Sequence, residues 1–386
     1  METTLHFPKG FLWGAAVSAY QVEGGINCDW TNFFPAGKAC DHYHLYEKDF
    51  DLIEKLNLNA FRFSIEWSRI EPKEGKFDEK ELEHYKKYLQ ALKAKKLKVM
   101  VTLHHFTNPL WLGKIGGWEN KKVIFYFSRF AKKVFDEYKT LVDFWITLNE
   151  PLNYAFIGYL EGRWPPKKRN FCSFLKVIKN QILAHKKIYE IFHKQSQCKI
   201  GIAKCNNYFE PFNEKSFLDK FCCKICRYLW NEFFLERIKN YLDFIGLNFY
   251  HHNKIQFPFK TKNENKIVSD IGWEIYPQGI YYVLKELKKY NLPIYITENG
   301  VADKKDRLRK RFIKEHLCWI HKAIEKKVDV RGYFHWSLMD NFEWERGFEP
   351  RFGLIEINYK TMARKIRPSA LFYGKIAKSN SLKCQS

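Results

Sequence analysis

The chain has 386 residues, 46% of them hydrophobic and 18% aromatic, which excludes a disordered or fibrous protein and leaves enough length for a sizeable core. Its net charge of +23 comes from 66 Lys and Arg against 43 Asp and Glu. The lysines are spread over amphipathic segments such as EHYKKYLQALKAKKLK rather than gathered in a block, which argues for solvated helix faces and against nucleic acid.

Met1 to Lys9 lacks the basic start of a secretory signal, and the GFLWGAAVSAY that follows is too short to span a bilayer. A cytoplasmic protein is therefore expected, with neither membrane nor nucleic acid as partner. The ten cysteines are irregularly scattered and read as reduced thiols. CCKIC (Cys222, Cys223, Cys226) holds one CxxC, but no second pair completes a zinc site, so it reads as helix packing. No metal or other cofactor is expected.

Along the chain, apolar β-rich runs alternate with helical patterns. FLWGAAVSAY and AFRFSIEW are the first two candidate strands. Asp78 to Lys96 then carries Leu82, Tyr85, Leu89 and Leu92 at helical spacing, with Asp78-x-x-Glu81 as a capping-box start. KVMVTLHHF follows, then a second helical period over Val123, Phe127, Phe130, Ala131, Val134 and Tyr138. The remaining strands are DFWITLNE, KIGIAKCNNYF, DFIGLNFY, PIYITEN and VRGYFHWSLMD, which makes eight. Phe257 to Ser269, polar and rich in Lys and Asn, reads as a loop after the sixth.

Strand and helix in eightfold alternation predict an α/β fold, a (β/α)8 TIM barrel forming one domain over residues 1–378, with a disordered end SNSLKCQS at 379–386. An open doubly wound sheet would want a Gly-rich phosphate turn after its first strand, and SAYQVEGG is not one.

In such a barrel the C-terminal strand ends converge on one mouth. Here those ends are polar: Gln21 and Glu23, Arg62 and Glu66, His104 and His105, Asn149 and Glu150, Asn206 and Asn207, Asn248 and Tyr250, Glu298 and Asn299, and Trp336. Glu150 and Glu298 each end an apolar run, where a bare charge would cost several kcal/mol to desolvate. Two such carboxyls beside amides and aromatics suit glycoside hydrolysis, one protonated to serve the leaving oxygen and one ionised to attack or to activate water. His104 and His105 are adjacent and point to opposite sides of a strand, which disfavours joint metal ligation.

These residues also carry a resemblance. FLWGAAVSAYQVEG, FRFSIEWSRIEP, TLHHF, TLNEP, ITENG and WSLMDNFEWERGFEPRFGL, in that order from Phe11 to Leu354, resemble glycoside hydrolase family 1, the β-glucosidase family. The resemblance implies a retaining β-glycosidase, acting on terminal non-reducing β-D-glucosyl and also galactosyl or fucosyl residues of small glycosides or short oligosaccharides, by double displacement through a covalent glycosyl-enzyme. It implies Glu150 as acid/base and Glu298 as nucleophile, about 5–5.5 Å apart. Asn149 would hold the sugar 2-hydroxyl, and Arg62 and Tyr250 would keep Glu298 ionised, giving it a low pKa and Glu150 a high one. Asn248 would support the pair. Gln21, His105, Glu343 and Trp344 would bind the other hydroxyls, with Trp336 as the stacking floor.

Two alternatives attach to the resemblance: a 6-phospho-β-glycosidase and a non-catalytic sugar-binding relative. The first would carry Ser, Lys and Tyr where this chain has Glu343, Pro350 and Phe352; the second would lack a glutamate that is present here. Against the family, the mouth loops around INCDWTNFFPAGKAC and Lys168 to Phe174 are short, implying a shallow, open aglycone side that Trp118 and Trp164 could line.

Overall fold

The computed structural model describes residues 2–385. Eight parallel strands close into a barrel: β1 (Leu12–Ala16), β2 (Ala60–Ser64), β3 (Lys98–His104), β4 (Phe144–Asn149), β5 (Lys199–Cys205), β6 (Phe244–Asn248), β7 (Ile294–Asn299) and β8 (Val330–Trp336). Each pairs with the next in sequence, and β8 closes on β1 with Trp336 opposite Ala16. These are the eight strands expected from the apolar runs.

The strands are buried on both faces because each faces helices outside and neighbours inside. Leu12, Ala60, Met100, Phe144, Phe244 and Tyr295 point inward and pack together. The alternate residues Trp13, Phe61, Val99 and Trp145 join the outer core. Phe144, Phe244 and Tyr295, with ring centroids 5.1–5.8 Å apart, plug the N-terminal end of the barrel. The barrel interior is therefore closed at that end and can be entered only from the other.

The helix Glu79–Ala94 follows β2 as its pattern predicts. Asp78 caps it, accepting from the N–H of Lys80 and Glu81, and Leu82, Tyr85, Leu89 and Leu92 are buried. The helix Val123–Tyr138 likewise buries its six periodic residues against the barrel.

Two strands break regular pairing near their ends. The register of β4 on β5 shifts between Ile146 and Asn149. That of β7 shifts between Ile296 and Glu298 on β6, and between Ile296 and Asn299 on β8. Such irregularities re-aim side chains, and they fall on the strands that carry the two glutamates.

Three expectations are corrected. The chain end is ordered: Ser381–Gln385 is a strand antiparallel to Glu2–His6, with Leu382 buried opposite Leu5. An eight-residue polar stretch gives no local sign of a partner nearly the whole chain away. Cys318 and Cys384 form a disulfide, their Cα atoms 6.5 Å apart, so not every thiol is reduced. The docked tail brings them together across 66 residues, a separation with no sequence signature. Finally, Phe257 to Ser269 is not only loop. Lys260–Thr261 pairs with His252–Gln256, which pairs with Tyr208–Pro211 in a small sheet at the C-terminal ends of β5 and β6.

Candidate active site

A cavity of about 270 Å³ opens at the C-terminal end of the barrel. His105, Asn149, Glu150, Tyr250, Glu298 and Trp336 line it, joined by Glu343 and Trp344. Gln21, Arg62 and Asn248 lie behind that wall, fully buried, and each hydrogen-bonds a carboxylate on it.

Glu298 ends β7. Arg62 donates from Nη1 to its Oε1 at 2.6 Å, and the Tyr250 hydroxyl donates to its Oε2 at 2.8 Å. Arg62 is itself fixed, with Nε on the Thr102 hydroxyl, Nη1 on the Thr297 carbonyl and Nη2 on Asn149 Oδ1 at 2.7 Å. Because a guanidinium only donates, Asn149 Oδ1 must face Arg62. Its Nδ2 therefore faces His105 Nε2 at 3.1 Å, and the His105 ring carries its proton on Nδ1. Burial, then the positive charge of Arg62, holds His105 well below its ordinary pKa, so it is neutral.

Glu150 follows β4, and its backbone is left-handed, φ 43°. Phe106 (φ 72°) and Trp344 (φ 54°), which also line the cavity, have positive φ too, which costs on the order of 1–3 kcal/mol each in a non-glycine residue. At Glu150 the surroundings enforce it. Its N–H donates to the Ala203 carbonyl at 2.7 Å, and Pro151 starts a helical turn whose Tyr154 N–H returns to the Glu150 carbonyl at 3.1 Å. Asn248 Nδ2 donates to Glu150 Oε1 at 2.8 Å, while the Thr297 hydroxyl fixes Asn248 by donating to its Oδ1 at 2.7 Å.

The two carboxyls thus sit in unlike surroundings. Burial, and then the charge of Glu298, pushes Glu150 up to about 8. Burial raises Glu298 as well, but Arg62 and Tyr250 pull it back, so Glu298 is the member of the pair that ionises first. The expectation of a low pKa at Glu298 holds only relative to its partner.

On the opposite wall, Gln21 Nε2 donates to Glu343 Oε2 at 3.2 Å and to the carbonyl of Phe342 at 2.8 Å. The Ser18 hydroxyl donates to Gln21 Oε1 at 2.7 Å. Burial pushes Glu343 up to about 8, with the Glu298 charge as the next cause. His105 lies nearly parallel to Trp336 and Trp344, centroids 5.9 and 6.0 Å away. Neutral donors, carboxyls and flat aromatic faces around one small cavity can bind and orient a sugar ring.

Other polar strand ends serve the frame. Glu23 pairs with Arg69 at 2.8 Å, and Glu66 accepts from the Ser68 and Thr107 hydroxyls. His104 contacts Asn108. Trp118 is fully buried and donates to Asn108, so it packs, whereas Trp164 lines the cavity. Lining residues without a sequence signal include Cys205, His251 and Trp273. Nor did the pattern single out Lys204, buried at the end of β5 and charge-coupled to Glu150.

A family model described as glycosyl hydrolase family 1 matches residues 3–241 and 231–382. β-Glucosidase A of Thermotoga maritima is 34% identical over 97% of this chain and 98% of its own. That alignment spans 439 positions, so the relative carries segments this 386-residue chain lacks. The β-glycosidase from Pyrococcus horikoshii superposes with a TM-score of 0.94 at 38% identity, over 99% of this chain and 97% of that one. The T. maritima β-glucosidase in complex with galacto-hydroximolactam superposes with a TM-score of 0.91 at 32% identity, over 98% and 99%.

Proposed function

The chain belongs to glycosyl hydrolase family 1 and is a retaining β-glycosidase, and we propose that Glu298 is its nucleophile and Glu150 its acid/base. The observation that carries this assignment is the asymmetry between them: Arg62 and Tyr250 grip Glu298 and oppose the rise that burial causes, whereas Glu150 has an amide partner and is pushed up to about 8.

Glu298 attacks the anomeric carbon as the bond to the leaving oxygen breaks, and Glu150 gives its proton to that oxygen. The ester removes the Glu298 charge, and with it one cause of Glu150's high pKa. Glu150 then takes a proton from water as the water oxygen attacks the anomeric carbon, releasing the β-sugar and the Glu298 carboxylate. Asn149, oriented by Arg62, presents its Nδ2 towards the 2-hydroxyl beside His105. Gln21, Glu343 and Trp344 hold the remaining hydroxyls over Trp336.

Glucosides, galactosides and fucosides are the proposed substrates. The T. maritima complex with a galacto-configured compound supports a hydroxyl set tolerant of configuration. On the leaving-group side the wall includes Trp164, Trp273 and Ile157, which suits aryl and alkyl aglycones. These should turn over about as well as cellobiose, and a strong preference for one disaccharide overturns that part.

The test is hydrolysis of p-nitrophenyl β-D-glucoside with NMR of the first-formed anomer. Wild type should release the β-anomer, and Glu298→Gln should lose about 1,000-fold or more in kcat. An α-anomer, or a Glu298→Gln enzyme of near-normal rate, refutes the assignment. A 6-phosphoglucoside should be a poor substrate, because Glu343 and Phe352 occupy the wall where a phosphate would need cations.

A further inference from the structure

Of the fifteen large apolar side chains exposed among the described residues, eight fall between Phe212 and Phe259, so they form a patch rather than a scatter. The helix Phe217–Arg227, extended by the turn Tyr228–Glu232, carries most of them. Its inner face packs Cys222 and Cys223 on Ile255. Its outer face is apolar too: Phe217 is 78% exposed and Phe221 52%, with Leu218, Tyr228 and Leu229 also exposed. Those positions, with Ile225 between them, follow helical spacing along one stripe. The neighbouring hairpin adds Phe257 and Phe259. It is tied to the helix through Asp219, which accepts the Phe257 N–H at 3.0 Å.

Cations rim the stripe. Lys215, Lys220 and Lys224, and Lys260 and Lys262 on the hairpin, form no ion pair with the described residues. Of the nearby acids, Asp219 is buried and engaged with the backbone N–H groups of Asn213 and Phe257, and the exposed Glu214, which shares a cleft with Lys220 and Lys224, leaves the five lysines in excess. A second copy docked here would set one lysine rim against another. An anionic bilayer meets both features, with apolar side chains at the acyl boundary and lysines at lipid phosphates.

We propose that this face is a peripheral docking surface for anionic lipid bilayers. It lies at the mouth end of the barrel: the Tyr208 N–H of the small sheet donates to the carbonyl of His251, a cavity-lining residue, at 3.0 Å. Docking therefore holds the cavity at the lipid surface. Among the described residues no helix is long and apolar enough to cross a membrane. The expectation of no membrane partner is thus revised only for surface binding.

The test is co-sedimentation of the full chain with vesicles of phosphatidylcholine and phosphatidylglycerol, and of phosphatidylcholine alone. Binding should require the anionic lipid and weaken in high salt. Phe217→Ser/Phe221→Ser and Lys220→Glu/Lys224→Glu should each weaken it about tenfold or more, with hydrolysis of a soluble aryl glucoside unchanged as evidence of folding. Lys86→Glu/Lys87→Glu makes the same charge change on an exposed helix far along the chain and should weaken binding much less. Equal loss in that control reduces the effect to the net charge and overturns the proposal. So does failure to sediment with anionic vesicles, or insensitivity to the Phe changes. A concentration-dependent dimer that Phe217→Ser abolishes, without vesicle binding, assigns the face to a second copy instead.

Discussion

Arg62 on β2 reaches through the barrel interior to Glu298 at the end of β7, with 2.6 Å between Nη1 and Oε1. The same guanidinium orients Asn149 through Nη2 at 2.7 Å, so one side chain favours the charge on the proposed nucleophile and aims the proposed 2-hydroxyl ligand. A lysine has no second fixed nitrogen with which to do both. Arg62→Lys should therefore lower kcat/KM by about 100-fold or more. Because Arg62 favours the ionised form of Glu298, weakening it should also move the acidic limb of the kcat/KM profile upward. A variant with an unmoved acidic limb and near-normal rate contradicts this arrangement.

The alkaline limb should report Glu150, which is pushed up to about 8 by burial and then by the Glu298 charge. The proposed acid role needs its proton, so kcat/KM should fall as pH rises through about that value. Removing the negative charge in Glu298→Gln should lower the Glu150 pKa, which NMR of carboxyl-labelled glutamate can follow. A Glu150 resonance that titrates at the same pH in both proteins separates the pair electrostatically and counts against the mechanism.

Raised carboxyl pKa values also cost stability. An acid that binds its proton more tightly when folded loses folded-state stability as pH rises from its unfolded pKa to its folded one. For Glu343 that window runs from about 4.5 to about 8. Glu343→Gln should therefore raise Tm relative to wild type at pH 8, by an effect on the order of a few kcal/mol, and leave Tm nearly unchanged at pH 4. Lower Tm at pH 8 would mean that the carboxylate is better satisfied than its single Gln21 contact indicates. Hydroxyl binding should suffer at either pH, as expected where an active site holds strain for function.

The barrel was legible because its strands are continuous apolar runs and its helices keep their period, as Leu82 to Leu92 illustrates. The two glutamates were legible because a charge after a buried strand is anomalous in itself. Less accessible was how they are aimed. Asn149 and Glu298 depend on register shifts in β4 and β7, and pairing between strands leaves no mark within either. Glu150 needs left-handed backbone, which nothing in the sequence suggests, since the proline after it favours an extended residue there. Contacts between distant segments were invisible for the same reason, as with the tail strand at Ser381–Gln385 and the Cys318–Cys384 disulfide.

Lys204 carries a prediction of its own. It is 1% exposed, donates to the Cys205 carbonyl at 2.6 Å, and burial lowers its pKa to about 8. Its charge favours ionised Glu150 and so opposes the burial and the Glu298 charge that raise that carboxyl. Lys204→Met fills a similar volume without the cation. Glu150 should then titrate higher, and the alkaline limb should move up while the acidic limb stays. A variant with both limbs unmoved would confine Lys204 to packing.

Gly300, two residues beyond Glu298, ties the end of β7 to β8. A Cβ built there would overlap the Trp336 carbonyl oxygen and lie 3.3 Å from Trp336 Cβ. Backbone cannot yield as the tip of a flexible side chain can, so Gly300→Ala must push β7 away from β8 at the level of Glu298 and Trp336. Overpacking of this kind costs about 1–3 kcal/mol or more, which thermal unfolding would register as a lower Tm. The displacement also falls on the reacting groups, so kcat should drop about 100-fold in whatever protein remains folded. An alanine variant with normal Tm and normal kcat would mean that the close approach of Gly300 to Trp336 is not needed to position Glu298.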